Sequence, residues 1–215
     1  MATTLYLIRH SEVCSKSFIN TIKNDISFQD NIERSVLSVV GEARASKLSK
    51  LNELKNIDAV YSSNYAKAIG TAKYIADENN IILNIDDRLN ERRIGNIENV
   101  EWNEFNREQM KDFDYKLPEG ESINETKQRI VESVKNILMF ETDNRVAVVS
   151  HSTALTCLLS AWCDVGKNYQ GDLILSYKDD TIMDGDWTAP MMYKVVFDGM
   201  TVLSLEVIDI SEIFE

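Results

Sequence analysis

Histidine is almost missing from this chain, with two among 215 residues, and so are proline, with two, and cysteine, with three. Each scarcity excludes something. Cys14, Cys157 and Cys163 are an odd number with no CxxC spacing and no histidine cluster beside them. That disfavours a disulfide frame or a zinc site and fits reduced cytoplasmic thiols. With two prolines and no low-complexity tract, nothing marks a linker, so a single domain over residues 1–215 is the simplest organisation. No apolar run approaches the length of a membrane span. No basic region followed by a long apolar stretch opens the chain, so no signal peptide is expected. Positive charge is also in short supply: 23 Lys and Arg against 35 Asp and Glu give a net charge of -12. Nucleic acid and anionic membrane surfaces are poor partners for such a chain. An anionic small substrate has to be drawn in by a local basic pocket, because the global field opposes it.

What is present is ordinary for a globular protein, with 44% hydrophobic and 27% charged residues. Residues 3–8 predict a strand buried on both faces. From Glu42, "EARASKLSKLNEL" sets Ala45, Leu48, Leu51 and Leu54 on one helical face, punctuated by Gly41 before it and Asn56 after it. "IDAVYSS" is a second strand, "YAKAIGTAKYIADE" a second helix, and "IILNI" a third strand after a turn at Asn79 and Asn80. Residues 92–121 lose this regularity, apart from a helix-like piece over 102–110, and are expected to form a specificity region off the sheet. Ser122 and Glu125 make a capping box at the start of a long amphipathic helix. "RVAVVS" is a buried strand followed by the helix "TALTCLLSAW". Segment 163–190 is expected as a loop lining or covering the pocket, with Tyr169, Trp187 and several aspartates. Asp198 and Gly199 sit between two alternating runs, a hairpin signal. Together these elements predict a three-layer α/β/α sandwich with a mostly parallel central sheet and an antiparallel edge hairpin near the C-terminus.

Both histidines end apolar strands, in "LYLIRHSEV" and "VAVVSHSTA". In open α/β sheets, ligands bind beyond the carboxyl ends of strands, where the next helix begins. Arg9-His10, Ser62-Ser63 and Ser150-His151 end three predicted strands and are able to meet at one spot. A lone histidine in such a place is more often a satisfied core or capping residue; two, with an arginine beside one, point to function.

At these residues the chain resembles the histidine phosphatase superfamily, whose fold is that of the cofactor-dependent phosphoglycerate mutases. "LYLIRHSE" is similar to the family's RHG(E) signature, and "YSSNYAKAIGTA" to its SSxxxRAxxTA segment. "RLNERRIGNIEN" resembles its LxExxxG stretch, "LPEGES" its PGGES and "VVSHSTA" its SHG. The motifs keep their order over residues 5 to 154. The resemblance implies that His10 is the nucleophile that becomes phosphohistidine and that Glu91 is the proton donor. It also implies that Arg9 and His151 grip the phosphoryl oxygens, helped by the backbone N–H of Ser152, with Ser62, Lys67 and Lys16 as further phosphate-binding groups. No metal and no cofactor is implied. The chemistry agrees: a histidine nucleophile must be neutral, and the transferred group needs cations and donors around its oxygens and an acid for the leaving oxygen.

The chain departs from the family in places. Lys67 replaces the arginine of the second motif, keeping charge but losing the bidentate fork. Ser11 and Ser152 replace the glycines after the two histidines, and Lys16 stands where asparagine is frequent. Arg92 and Arg93 follow Glu91; adjacent cations favour an ionised carboxylate, whereas a general acid must carry a proton. They are therefore expected to point away or toward the substrate, leaving Glu91 in a drier corner. The acid-rich stretch after Glu91 suits a mutase poorly, so the expected activity is a phosphomonoester phosphatase acting on a small phosphorylated metabolite. Phosphoglycerate-mutase-type transfer and a catalytically weakened phosphate-binding module are the alternatives; a metal site built on both histidines is disfavoured because Arg9 repels a dication. Oligomeric state is not legible.

Overall fold

The computed structural model describes residues 2–14, 28–97, 100–167, 173–185 and 188–215. Lys16, Glu98, Tyr169, Asp186 and Trp187 lie outside the described residues. The central sheet contains β1 (Thr3–Arg9), β2 (Ala59–Ser62), β3 (Leu83–Ile85), β4 (Arg145–Ser150), and two later strands, Met191–Asp198 and Thr201–Val207. Its strand order places β3 at one edge, then β2, β4, β1 and the two later strands. The pairs β3–β2, β2–β4 and β4–β1 are parallel, while the last two strands add antiparallel. The fold is thus mixed α/β, with the expected hairpin closing one edge around Gly199, whose φ is 56°.

Period-two alternation explains the layering. Leu5, Leu7, Val146 and Val148 point to one face, where they meet Ile130, Val134 and Ile137 of α5 (Ile123–Phe140) and Leu155 and Leu158 of α6 (Ser152–Leu159). Tyr6, Ile8, Ala147 and Val149 point to the other, against Leu48 of α2 (Val39–Leu48) and Ala68, Ala72 and Ile75 of α3 (Ala66–Asn79). Covering both faces explains why β1 and β4 read as unbroken apolar runs rather than alternating ones. Each such leucine or isoleucine contributes about 1.5–3 kcal/mol by leaving water. The capping box of Ser122 and Glu125 starts α5, and Asn80 closes α3 in the left-handed region with φ 54°.

Two expectations need correction. Gly41 does not precede its helix; α2 begins at Val39, capped by the Ser38 hydroxyl, which accepts the Gly41 N–H at 2.9 Å. Glycine is needed there because a Cβ would lie 1.9 Å from the Glu12 carbonyl oxygen. This contact seats α2 against the loop that follows His10. The second correction is that segment 163–190 is not simply a loop. Within it β5 (Asp164–Lys167), β6 (Leu173–Tyr177) and β7 (Asp180–Met183) form a separate antiparallel three-stranded sheet. Its strands are short, and its β6–β7 turn places Lys178 at φ 57°, where glycine or asparagine is the usual signal.

The 92–121 region contributes α4 (Trp102–Lys111), preceded in the chain by the short helix α1 (Phe28–Arg34). It has its own small cluster of Ile94, Phe105 and Leu117. Backbones 93–96 and 118–121 run against each other, with Asn96 N–H on the Pro118 carbonyl at 3.0 Å and Glu121 N–H on the Arg93 carbonyl at 2.8 Å. Glycines at 95 and 120 permit this, since a Cβ at either would come within 2.4–2.5 Å of the opposite carbonyl oxygen. Among the described residues, no helix is long and apolar enough to cross a membrane.

Candidate active site

The carboxyl ends of β2, β4 and β1 are neighbours in the sheet, so the three polar pairs converge. His10 N–H reaches the Ser150 carbonyl at 3.0 Å and Ser63 N–H the Val149 carbonyl at 3.1 Å. The two imidazoles stand edge to face, centroids 5.1 Å apart at 62°, and both are buried. Tyr65 lies 4.9 Å from the His151 ring.

Hydrogen bonds fix what each imidazole offers. His10 Nδ1 is 2.7 Å from the Ser11 carbonyl oxygen. A carbonyl only accepts, so Nδ1 carries the proton and Nε2 is left with its lone pair. His151 Nε2 is 2.7 Å from Ser63 Oγ, and that oxygen already accepts the Tyr65 N–H at 3.3 Å. Ser63 Oγ therefore joins the His151 ring to the start of α3, and His151 Nδ1 is a buried atom with no hydrogen-bond partner among the described residues. The two rings are held through different nitrogens, His10 through Nδ1 and His151 through Nε2.

Electrostatics keep both neutral. Burial, followed by the charge of Lys67 and then of Arg9, lowers His10 to about 3, against the opposing pull of the Ser11 carbonyl. Burial also holds His151 well below the ordinary imidazole range, with His10, Lys67, Arg129 and Arg9 acting the same way. Lys67 is buried in the first turn of α3, where its Nζ donates to the Ile32 carbonyl at 2.9 Å. Burial lowers its pKa too, partly offset by Glu91. Arg9 ends β1 and donates to the Thr188 carbonyl at 3.2 Å.

Glu91 sits at the start of α6, accepting the N–H groups of Thr153 at 3.1 Å and Ala154 at 2.9 Å, with the Ser152 hydroxyl at 3.4 Å. These are among the donors that a helix start leaves without intrahelical partners. The two arginines after it turn elsewhere. Arg92 is buried with Nη1 on Gln109 Oε1 and its guanidinium 5.0 Å over the Phe105 ring, whereas Arg93 is exposed. Ser62 is not brought to the histidine pair: fully buried, it donates to the Ser63 carbonyl at 2.9 Å. Its neighbour Ser63 makes the contact instead, because adjacent strand residues face opposite ways.

Sequence reasoning passed over two more supports. Thr71 Oγ1 accepts the Ser11 N–H at 2.9 Å and so ties α3 to the loop after His10. Arg129 pairs with Glu121 through two bonds of 2.6 and 2.7 Å, and its Nη1 donates to the carbonyls of Arg88 and Asn90 at 2.8 and 3.1 Å. That fork holds the backbone leading into Glu91. Nothing in the motif spacing singled out Arg129, although its partner Glu121 lies in "LPEGES". A hollow of about 690 Å³ at the β3 edge is lined by Tyr61, Asp86, Arg88 and Phe140 among others. Neither histidine lines it, and the chemistry is not there.

Two buried imidazoles, with Lys67 and Arg9 near enough to lower both, at the ends of parallel strands form an arrangement able to serve phosphoryl-group chemistry. The family model of the histidine phosphatase superfamily (branch 1) matches residues 5–184, and the chain belongs to that superfamily. A relative described as probable phosphoglycerate mutase GpmB, from Yersinia pestis (strain Pestoides F), is 27% identical over 164 residues, 73% of each chain. Among solved structures, Bacillus stearothermophilus YhfR is similar with a TM-score of 0.67 and 27% identity, covering 98% of this chain and 99% of that one. A putative alpha-ribazole-5'-P phosphatase from Escherichia coli has a TM-score of 0.66 at 19% identity, over 97% of both chains. A mycobacterial glucosyl-3-phosphoglycerate phosphatase has a TM-score of 0.65 at 15% identity, over 96% of this chain and 97% of that one. The last two likenesses concern the fold. Membership makes the chain a phosphoryl-transfer protein of the phosphatase and mutase kind.

Proposed function

We propose that the chain is a phosphomonoester phosphatase that works through a phosphohistidine on His10. The observation that carries this reading is the buried His10, held through Nδ1 by the Ser11 carbonyl so that Nε2 keeps its lone pair, with the His151 ring 5.1 Å away. His10 Nε2 attacks phosphorus, the bond from phosphorus to the ester oxygen breaks, and that oxygen takes a proton from Glu91. Water then attacks the phosphorus, Glu91 takes back a proton, and the N–P bond breaks to release inorganic phosphate and the neutral imidazole. Arg9, Lys67 and the Nδ1–H of His151 neutralise charge on the equatorial oxygens throughout. Lys67 supplies charge without the fork of an arginine, so weaker phosphate binding rather than lost chemistry is expected of it. Ser152 contributes from the same helix start. Lys16, outside the described residues, is retained as a candidate cation on sequence grounds alone.

In this reading the positive charge comes from side chains and no metal is needed. The test is release of phosphate from p-nitrophenyl phosphate by purified protein, unchanged by a strong chelator and abolished in His10→Ala. Loss of activity on chelation overturns the metal-free mechanism; no release from any phosphomonoester overturns the assignment. The name of the Yersinia relative favours a second reading, transfer between the hydroxyls of a phosphoglycerate. The acids Glu101, Glu104, Glu108, Asp112 and Asp114 of the 92–121 region weigh against it, because they oppose a polyanionic substrate. Interconversion of 2- and 3-phosphoglycerate, faster than phosphate release, would favour the mutase.

A further inference from the structure

One cleft is unused by the chemistry described so far. It has a volume of about 440 Å³ and runs along α6 from Ser152 and Thr153, the residues that hold Glu91, to Ser160. Trp102, Met110 and Phe113 of the 92–121 region form one wall, and Val165, Leu173 and Leu175 of the small sheet form the other. Lys167 of that sheet donates to the Met110 carbonyl at 2.9 Å and so fastens the walls together. Trp102, Phe113 and Val165 are 43%, 36% and 47% exposed.

The polar groups of the cleft are few and mostly committed. Lys127 Nζ donates to the Ser160 carbonyl at 3.1 Å. Arg92 is 4% exposed, and among the described residues no carboxylate lies within ion-pair distance of it. Its Nη1 is taken by Gln109, its guanidinium lies 5.0 Å over the Phe105 ring, and its Nε is closed off from solvent.

We propose that this cleft binds the organic body of the substrate, and that the body is aromatic in size and character. The inference rests on the phosphatase reading for its placement: the cleft begins at the two residues that hold the proposed proton donor, so a leaving group protonated by Glu91 extends into it. The volume is of the order used for small ligands, and the lining matches the usual apolar pocket with few placed polar groups. Phosphorylated sugars and phospho-acids, which need many donors or free cations, fit it poorly.

The test compares phenyl phosphate, 2-naphthyl phosphate and 3-phosphoglycerate as substrates, and calorimetric binding of 2-naphthol and 7-hydroxycoumarin as dephosphorylated bodies. The expected result is kcat/KM at least about tenfold higher for 2-naphthyl than for phenyl phosphate, with 3-phosphoglycerate the poorest. The coumarin and the naphthol both bind. Val165→Glu and Trp102→Ala, both at exposed positions, lower the naphthyl-to-phenyl ratio and weaken binding of both alcohols. Equal kcat/KM for the two aryl esters, with no binding of either alcohol, overturns the cleft assignment while the phosphatase reading stands. Release from none of the esters, with alcohol binding still lost in Val165→Glu, overturns the phosphatase reading and keeps the cleft.

Discussion

The histidine site at the strand ends and the cleft between the 92–121 region and the small sheet are adjoining regions built on opposite principles. In the histidine site, His10 and His151 are each fixed through one ring nitrogen to a neighbouring residue, and the supports Ser63, Thr71 and Arg129 are tied to backbone. In the cleft the walls are aliphatic and aromatic, several are half in water, and they rest on a cluster as small as Ile94, Phe105 and Leu117. The first arrangement leaves the chemistry little freedom; the second leaves room for the substrate to change. The difference teaches where one reaction is kept and where its specificity is set.

Replacing His151 should break the histidine site most severely. His151→Ala removes the buried Nδ1 donor, and loss of one such donor costs about a hundred- to thousandfold in kcat, measurable by phosphate release. A cleft variant with an equal loss on every ester would contradict the division between regions. Acid should come next. His10 is held at about 3 in the fold against an ordinary 6.5 unfolded, so the unfolded chain binds more protons between those values. Stability is therefore complete above about pH 6.5 and falls as pH drops through that window, by about 2 kcal/mol for this imidazole between pH 7 and pH 5. His151, lowered for the same leading reason, acts in the same direction. Denaturant melts at the two pH values check it, and a flat response would show that the imidazoles are charged in the fold.

Arg129→Ala should cost about 2 kcal/mol or more, because Glu121 and the carbonyls of Arg88 and Asn90 lose a shared partner. Activity should fall with it as the Glu91 backbone loosens; a urea melt and a rate measurement on one preparation separate the two losses. The smallest effect is expected of Ser63→Ala, about tenfold in kcat. Its signature is spectroscopic: with two histidines in the chain, nitrogen-15 spectra of the rings resolve each tautomer. The His151 proton should sit on Nδ1 in the parent and become mixed in the variant. A parent spectrum with the proton on Nε2 would refute the role given to Ser63.

Much of the histidine site was legible in the sequence because strand ends and helix starts are local signals. "LYLIRHSE" and "VVSHSTA" each place an apolar run, a histidine and a helix start in order, and parallel pairing of β1 with β4 does the rest. Parity misled at Ser62 and Ser63: both end one strand, and which faces the pocket depends on a register that the sequence does not print. Arg129 was hidden because it lies in the regular pattern of an amphipathic helix, where an arginine is normally a solvated face. The small sheet was missed because strands of four or five residues with a lysine turn carry little periodic signal. Gly41 looked like punctuation, but its meaning lay in a backbone contact with Glu12, far away in the chain.

The account stands on one nitrogen, Nε2 of His10. Rapid acid-free quenching of the protein during turnover of a phosphomonoester, followed by peptide mapping by mass spectrometry, tests it directly. The account predicts a single phosphorylated position, His10, lost in acid and retained in base. Turnover with no phosphorylated peptide at any time, or phosphate found on a serine instead, would contradict it.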